Sequence, residues 1–105
     1  MKALTFSPAA KADLGRIWDY SAEHWGLNQA DLYIDNIRDA CRDLASGVRR
    51  GRSVDVRAGY LKHAAGIHMI YFRDRSNSLD VIRILHQQQD IALNLPTEVG
   101  STRFL

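Results

Sequence analysis

An α+β fold, a two-helix antiparallel hairpin packed on an antiparallel β-sheet in the order β-α-α-β-β-β, is predicted by three features of the sequence. Two amphipathic helical stripes in the first half are separated by only a few residues. Two runs rich in β-branched and aromatic residues, Ile67–Arg73 and Leu79–His86, lie near the other end. Helices and strands are segregated along the chain, the pattern of two-layer α+β domains.

The two β-rich runs flank Asp74-Arg75-Ser76-Asn77-Ser78, polar turn material. They predict a β-hairpin with a loop of about 4–5 residues. Successive strand side chains point to opposite faces, so parity sorts the residues. One face carries His68, Ile70, Phe72, Ile82 and Ile84; the other carries Ile67, Met69, Tyr71, Val81, Arg83 and Leu85. Both are apolar, whereas a half-solvated hairpin would alternate apolar with polar residues. Each face therefore needs a cover.

In chain order, Lys2-Ala3-Leu4-Thr5-Phe6 alternates as a short strand. Ser7-Pro8 is a helix start: Ser7 caps, and proline suits the first helical position because its missing N–H is not needed there. The first helix is expected to run to about His24, with Ala10, Leu14, Ile17, Ser21 and Trp25 inward, Trp18 beside them and Gly26 as the cap. Asn28, with Asp31 three residues on, is expected to open the second helix. Its apolar set is Tyr33, Ile34, Ile37, Cys41 and Leu44; Asp35, Arg38, Asp39 and Arg42 form the wet face, and Gly47 ends it. The short connection makes the helices an antiparallel hairpin, the cover for one sheet face.

A basic loop, Val48-Arg49-Arg50-Gly51-Arg52-Ser53, precedes a strand expected from roughly Val56 to His63, and Ala65-Gly66 turns into the hairpin. After Gln87-Gln88-Gln89-Asp90 comes a short amphipathic turn through Ile91, Leu93 and Leu95, ended by Pro96. The reading is one domain over 1–95 with a tail over 96–105. The expected core is Leu14, Ile17, Ile34, Ile37, Leu44, Ile70, Phe72, Ile82 and Ile84. One layer of helices cannot cover both faces, so the strip of Met69, Tyr71, Val81, Arg83 and Leu85 is expected to await a partner.

A chain of 105 residues has room for one core. Its formal charge of +2 supplies no global field toward nucleic acid, so any basic site must be local. One cysteine excludes an intrachain disulfide framework and a cysteine zinc cluster. No cofactor or metal site is expected: His24, His63, His68 and His86 are scattered. His68, on an apolar face, reads as a satisfied core histidine and Cys41 as a structural thiol. No signal peptide or transmembrane run is visible, so a cytoplasmic protein without membrane attachment is expected. Three roles are open to the basic set around Arg49, Arg50, Arg52, Arg57, Lys62 and Arg83: gripping RNA phosphates, binding an acidic partner, or solvation. Arg83, on an apolar face, wants a carboxylate, phosphate or carbonyl.

In order, SPAAKADL at Ser7–Leu14, WDYSAEHWG at Trp18–Gly26, QADLYIDNI at Gln29–Ile37, GRSVDVRAGY at Gly51–Tyr60, HMIYFR at His68–Arg73 and RILHQQQD at Arg83–Asp90 resemble the ParE toxins of the RelE/ParE superfamily, from type II toxin–antitoxin modules. The similarity spans about Leu4 to Leu95. It implies two helices on an antiparallel sheet and a toxin that poisons DNA gyrase without catalysis of its own. It also implies a cognate antitoxin, with operator DNA reached only through that antitoxin. The alternative is a RelE-like ribosome-dependent mRNA endonuclease using Arg57, Arg83 and His86. Against it, His86 is followed by three glutamines and no tyrosine follows Tyr71. A third reading is an inactive toxin serving as a binding module or co-repressor. Target-binding candidates are Arg52, Arg57, Tyr60, Arg83 and His86; antitoxin-binding candidates are Met69, Tyr71, Val81, Arg83 and Leu85.

Overall fold

The computed structural model describes residues 2–54, 57–89 and 91–95. Its elements are β1 (Ala3–Phe6), α1 (Pro8–Trp25), α2 (Leu27–Ser46), β2 (Arg52–Ser53), β3 (Leu61–Ala65), β4 (His68–Asp74), β5 (Ser78–His86) and the single turn α3 (Ile91–Asn94). One sheet of order β1-β5-β4-β3-β2 carries the α1–α2 hairpin on one face. The expected 96–105 tail lies outside the described residues.

Local chemistry sets the helix bounds. Ser7 Oγ accepts the Ala10 N–H at 3.0 Å, and Pro8 follows it. Gly26, at φ +92°, ends α1 and also precedes α2 directly, so α2 begins at Leu27 without a side-chain cap. Asn28 is thus inside the helix. Asp31 accepts a hydrogen bond from Trp18 Nε1 at 2.9 Å, tying the helices together. Gly47 closes α2 in the left-handed conformation, at φ +85°. Ala10, Leu14, Ile17 and Ser21 face inward as expected, but Trp25, the last residue of α1, is 59% exposed.

Of the strand expected from roughly Val56 to His63, Val56 lies outside the described residues, Arg57–Gly59 form a bend and turn, and β3 begins only at Leu61; the basic loop before it supplies the short strand β2, Arg52–Ser53. β1 runs parallel to β5, Ala3 to Phe6 matching Ser78 to Val81, while the other ladders are antiparallel.

Two corrections concern the terminal hairpin. Tyr71 pairs with Arg83 but Phe72 pairs with Val81, so Ile82 is an extra residue in β5. Such a β-bulge breaks the period of two. Val81, assigned by alternation to the far face, is 0% exposed in the helix-side core beside Ile70, Phe72, Leu79 and Ile84. Ile82, assigned to that core, packs on the far side instead. The far face is also not bare. Val54, Tyr60 and Leu95 cover Tyr71 and Leu85 in a second small core, with Met69, Ile82 and Ile91 at its margin. Short segments therefore provide the cover expected to need a partner.

Candidate functional site

β1 accompanies β5 only as far as Val81. Beyond it, the side chains of Ser7, the cap of α1, and of Asp13 within α1 satisfy the backbone edge of β5. Ser7 Oγ donates to the Ile82 carbonyl at 2.6 Å, and Asp13 accepts the Ile84 N–H at 2.9 Å. Asp13 lies one turn after Ala10 on the inward stripe and is 4% exposed. A carboxylate so buried needs partners, and it has three donor groups. Besides Ile84, Arg83 bonds it through both oxygens, Nε to Oδ2 at 2.7 Å and Nη2 to Oδ1 at 2.8 Å, and Arg16 reaches Oδ1 at 2.7 Å. Burial alone would raise the Asp13 pKa; the hydrogen bonds from Arg83, Ile84 and Arg16 outweigh it and hold the carboxyl below its ordinary value.

Arg83 thus has its expected carboxylate and carbonyl, both from its own chain. Its Nη1 donates to the Asn94 carbonyl at 3.1 Å. Arg57 works on the same turn, with Nη2 donating to Ala92 O at 2.7 Å and Nε to Leu95 O at 3.4 Å. The two arginines hold the carbonyl end of α3, where cations are favoured.

Around this ion pair opens a cleft of about 1010 Å³ between the α1–α2 hairpin and the ends of β4 and β5. Asp13, Arg16, Arg83, His68 and His86 are its charged and titratable lining, with Tyr20, Trp25 and Ile67 among its apolar residues. Ser21 also lines it and is 2% exposed, and its hydroxyl has no hydrogen-bond partner among the described residues. His68 is held by Tyr33, whose hydroxyl lies 2.6 Å from Nδ1 while accepting the Ile67 N–H at 3.2 Å. The same hydroxyl donates to the Ala65 carbonyl at 3.3 Å. Burial, then the neighbouring His86, pushes the His68 pKa down against the opposing effect of Asp13. His86 stands edge-on to His68 with centroids 5.7 Å apart, and its Nδ1 accepts the Gln88 N–H at 3.1 Å.

The residues singled out from sequence are therefore dispersed. Arg83 and His86 share the cleft, but Arg57 lies against α3, and Tyr60 is 3% exposed with the Arg73 guanidinium 5.5 Å above its ring. Arg52 is exposed on β2. Of the strip assigned to an antitoxin, Val81 is on the opposite face, Tyr71 and Leu85 are buried by the chain itself, Arg83 is engaged by Asp13 and Asn94, and Met69 is half-buried. Sequence reasoning missed Asp13, Ser21 and Tyr33 as site residues. A signal for Asp13 was present: a carboxylate on an inward helical stripe needs a cation, and an arginine on an apolar strand needs a carboxylate.

Among the described residues no three His, Cys, Asp or Glu side chains are grouped to hold a metal ion, and no helix is long and apolar enough to cross a membrane.

The sheet order and helical hairpin define the RelE/ParE-type toxin fold. The arrangement is shared with a chain from the chromosomal ParDE toxin–antitoxin system of P. aeruginosa, at TM-score 0.72 and 22% identity, covering 82% of this chain and 96% of that one. A YoeB/ParE toxin from Agrobacterium tumefaciens shares it at TM-score 0.56 and 17% identity, covering 82% and 98%. Residues 4–91 match the family model of the ParE toxin of the type II toxin–antitoxin system parDE. Toxin ParE1 of Mycobacterium tuberculosis is 41% identical over 91 residues, 85% of this chain and 93% of that protein. Toxin ParE1 of Caulobacter vibrioides is 34% identical over 96 residues, 90% and 99% of the two chains. The chain belongs to the ParE family of type II toxins.

Proposed function

We propose that this ParE toxin acts in the cytoplasm on DNA gyrase, trapping its cleaved-DNA intermediate and blocking replication, until a cognate antitoxin neutralises it. One observation favours this over ribosome-dependent mRNA cleavage. Two of the three residues that an endonuclease would use, Arg57 and Arg83, are hydrogen-bonded to the carbonyls of α3, and Arg83 is also neutralised by Asp13. Groups already paired within the fold are poor candidates for stabilising charge on a phosphorane. With the missing tyrosine after His86, the general acid–base equipment for 2′-OH attack is incomplete.

In this reading the antitoxin lies in the α1–β5 cleft, which is supported by the cover that the chain lays over its own far face. The cleft offers exposed Tyr20, Trp25 and Ile67, together with the buried Ser21 hydroxyl, which has no hydrogen-bond partner among the described residues. An amphipathic segment laid into such a groove buries apolar anchors and meets the polar groups at its floor.

The deciding experiment compares two assays on the same preparation. Purified toxin with gyrase, ATP and supercoiled plasmid should accumulate linear, protein-linked DNA, and translating ribosomes should keep their mRNA intact. Codon-phased mRNA cleavage without any effect on gyrase would replace this reading with the endonuclease one.

A further inference from the structure

The β2–β3 edge of the sheet places two positive charges on directly paired positions. Arg52 is the direct cross-strand partner of Lys62, and Lys62 is in turn paired with Tyr71 of β4. Like charges directly opposite one another destabilise an antiparallel pair. Neither cation has a carboxylate partner among the described residues, whereas Lys2, Arg16, Arg42, Arg49, Arg75 and Arg83 do. Arg50, exposed and equally without an ion pair there, stands two residues before Arg52.

The backbone beneath them is pressed close. A Cβ on Gly51 would lie 2.5 Å from the Phe72 ring and 3.1 Å from the Lys62 carbonyl, so only glycine lets this loop lie against β3. Arg52 and Lys62 are thus held on paired strands, with Arg50 on the loop that leads into β2.

We propose that Arg50, Arg52 and Lys62 form a phosphate-binding patch through which the toxin holds the backbone of duplex DNA directly. Its biological place rests on the gyrase reading, in which the target is itself bound to DNA. A phosphodiester supplies the shared anion that the Arg52–Lys62 pair lacks among the described residues, and phosphate contacts need no apolar seat. A protein partner would need one at its interface core. The neighbouring aromatic side chains, Tyr60 and Tyr71, are buried, and the exposed aromatics Tyr20 and Trp25 belong to the cleft.

The test uses toxin alone with a fluorescently labelled random-sequence duplex, titrated by anisotropy over a range of salt concentrations. Binding should weaken with salt, and Lys62→Ala should lower the slope of log K against log salt by about 1. Lys62→Glu turns the repulsive pair into an attractive one. It should raise the urea midpoint while weakening DNA binding about tenfold or more. Lys11→Glu, the same charge change on exposed α1, should have neither effect. The patch is overturned by a wild-type toxin that does not bind duplex, or by equal losses in Lys62→Glu and Lys11→Glu. It is also overturned if Lys62→Glu aggregates or loses antitoxin while binding DNA normally; the charges then guard a sheet edge or meet a protein. Failure of gyrase trapping with gyrase-free DNA binding intact would reject the gyrase reading and leave the patch standing.

Discussion

Asp13 is the residue on which the site's geometry depends. Its carboxylate receives the unpaired N–H of Ile84, the Arg83 fork and Arg16, joining α1 to the sheet edge left open where β1 ends. Removing one partner of a buried ion pair leaves the other uncompensated. Asp13→Ala should therefore lower stability by about 3–5 kcal/mol in urea unfolding. Arg16 is 66% exposed in its side chain, so Arg16→Ala should change stability by less than about 1 kcal/mol. Equal losses in the two variants would mean that the shared carboxylate does not distinguish them. The pH dependence has a definite sign. The folded pKa of Asp13 lies below its ordinary 3.8, so its contribution is present above that value and is lost as pH falls through the folded pKa. Asp13→Asn should therefore flatten the acid limb of the stability curve below about 4.

At the level of elements, the helices were legible because capping and period are local signals. Ser7-Pro8 at one end and glycines at Gly26 and Gly47 bound them as expected, apart from the start of α2. The β5 bulge was not legible, because it answers to pairing with β4 and not to the sequence of β5 itself. Strict alternation makes Ile82 and Ile84 equivalent; the bulge does not. Ile84→Ala should cost about 2–5 kcal/mol, and Ile82→Ala, at a half-buried site outside the main core, clearly less. Chemical denaturation of both variants decides between the registers. The cover over the far face was hidden for a different reason: α3 is too short to hold itself and depends on distant donors. Arg57→Ala removes two of them, and should speed amide exchange at Leu95, whose N–H bonds to Ile91 O at 2.9 Å. Exchange no faster than in the parent would show that Leu95 packing alone holds the turn.

Across the whole molecule, the sequence pointed to a bare apolar strip on the far face, and the chain covers much of that strip itself. That reading rested on a strip of large apolar side chains around one arginine, all within 17 positions, Met69 to Leu85. The contacts that close the strip come from much farther along the chain: Asp13 is 70 positions from Arg83, and Arg57 is 38 from Leu95. Leu85, 1% exposed beneath Tyr60 and Leu95, is now a core residue. Leu85→Asp should unfold the toxin, because a carboxylate there has no partner. While Leu32, Val48 and Leu93 are exposed elsewhere, four of the exposed large apolar side chains, Tyr20, Trp25, Leu27 and Ile67, lie toward the region where α1 gives way to α2 and β3 turns into β4. Truncating an exposed aromatic there should leave the fold nearly unchanged, since surface substitutions usually shift stability by no more than about 0.5 kcal/mol. A central aromatic anchor of an interface, by contrast, contributes about 2 kcal/mol or more. Trp25→Ala and Ile67→Asp should therefore keep the urea midpoint of the parent while weakening binding of a cognate antitoxin, Trp25→Ala by about thirtyfold. Calorimetric titration of antitoxin into each folded variant measures this directly. Parent-like affinity in both would mean that the antitoxin binds elsewhere than the α1–β5 cleft.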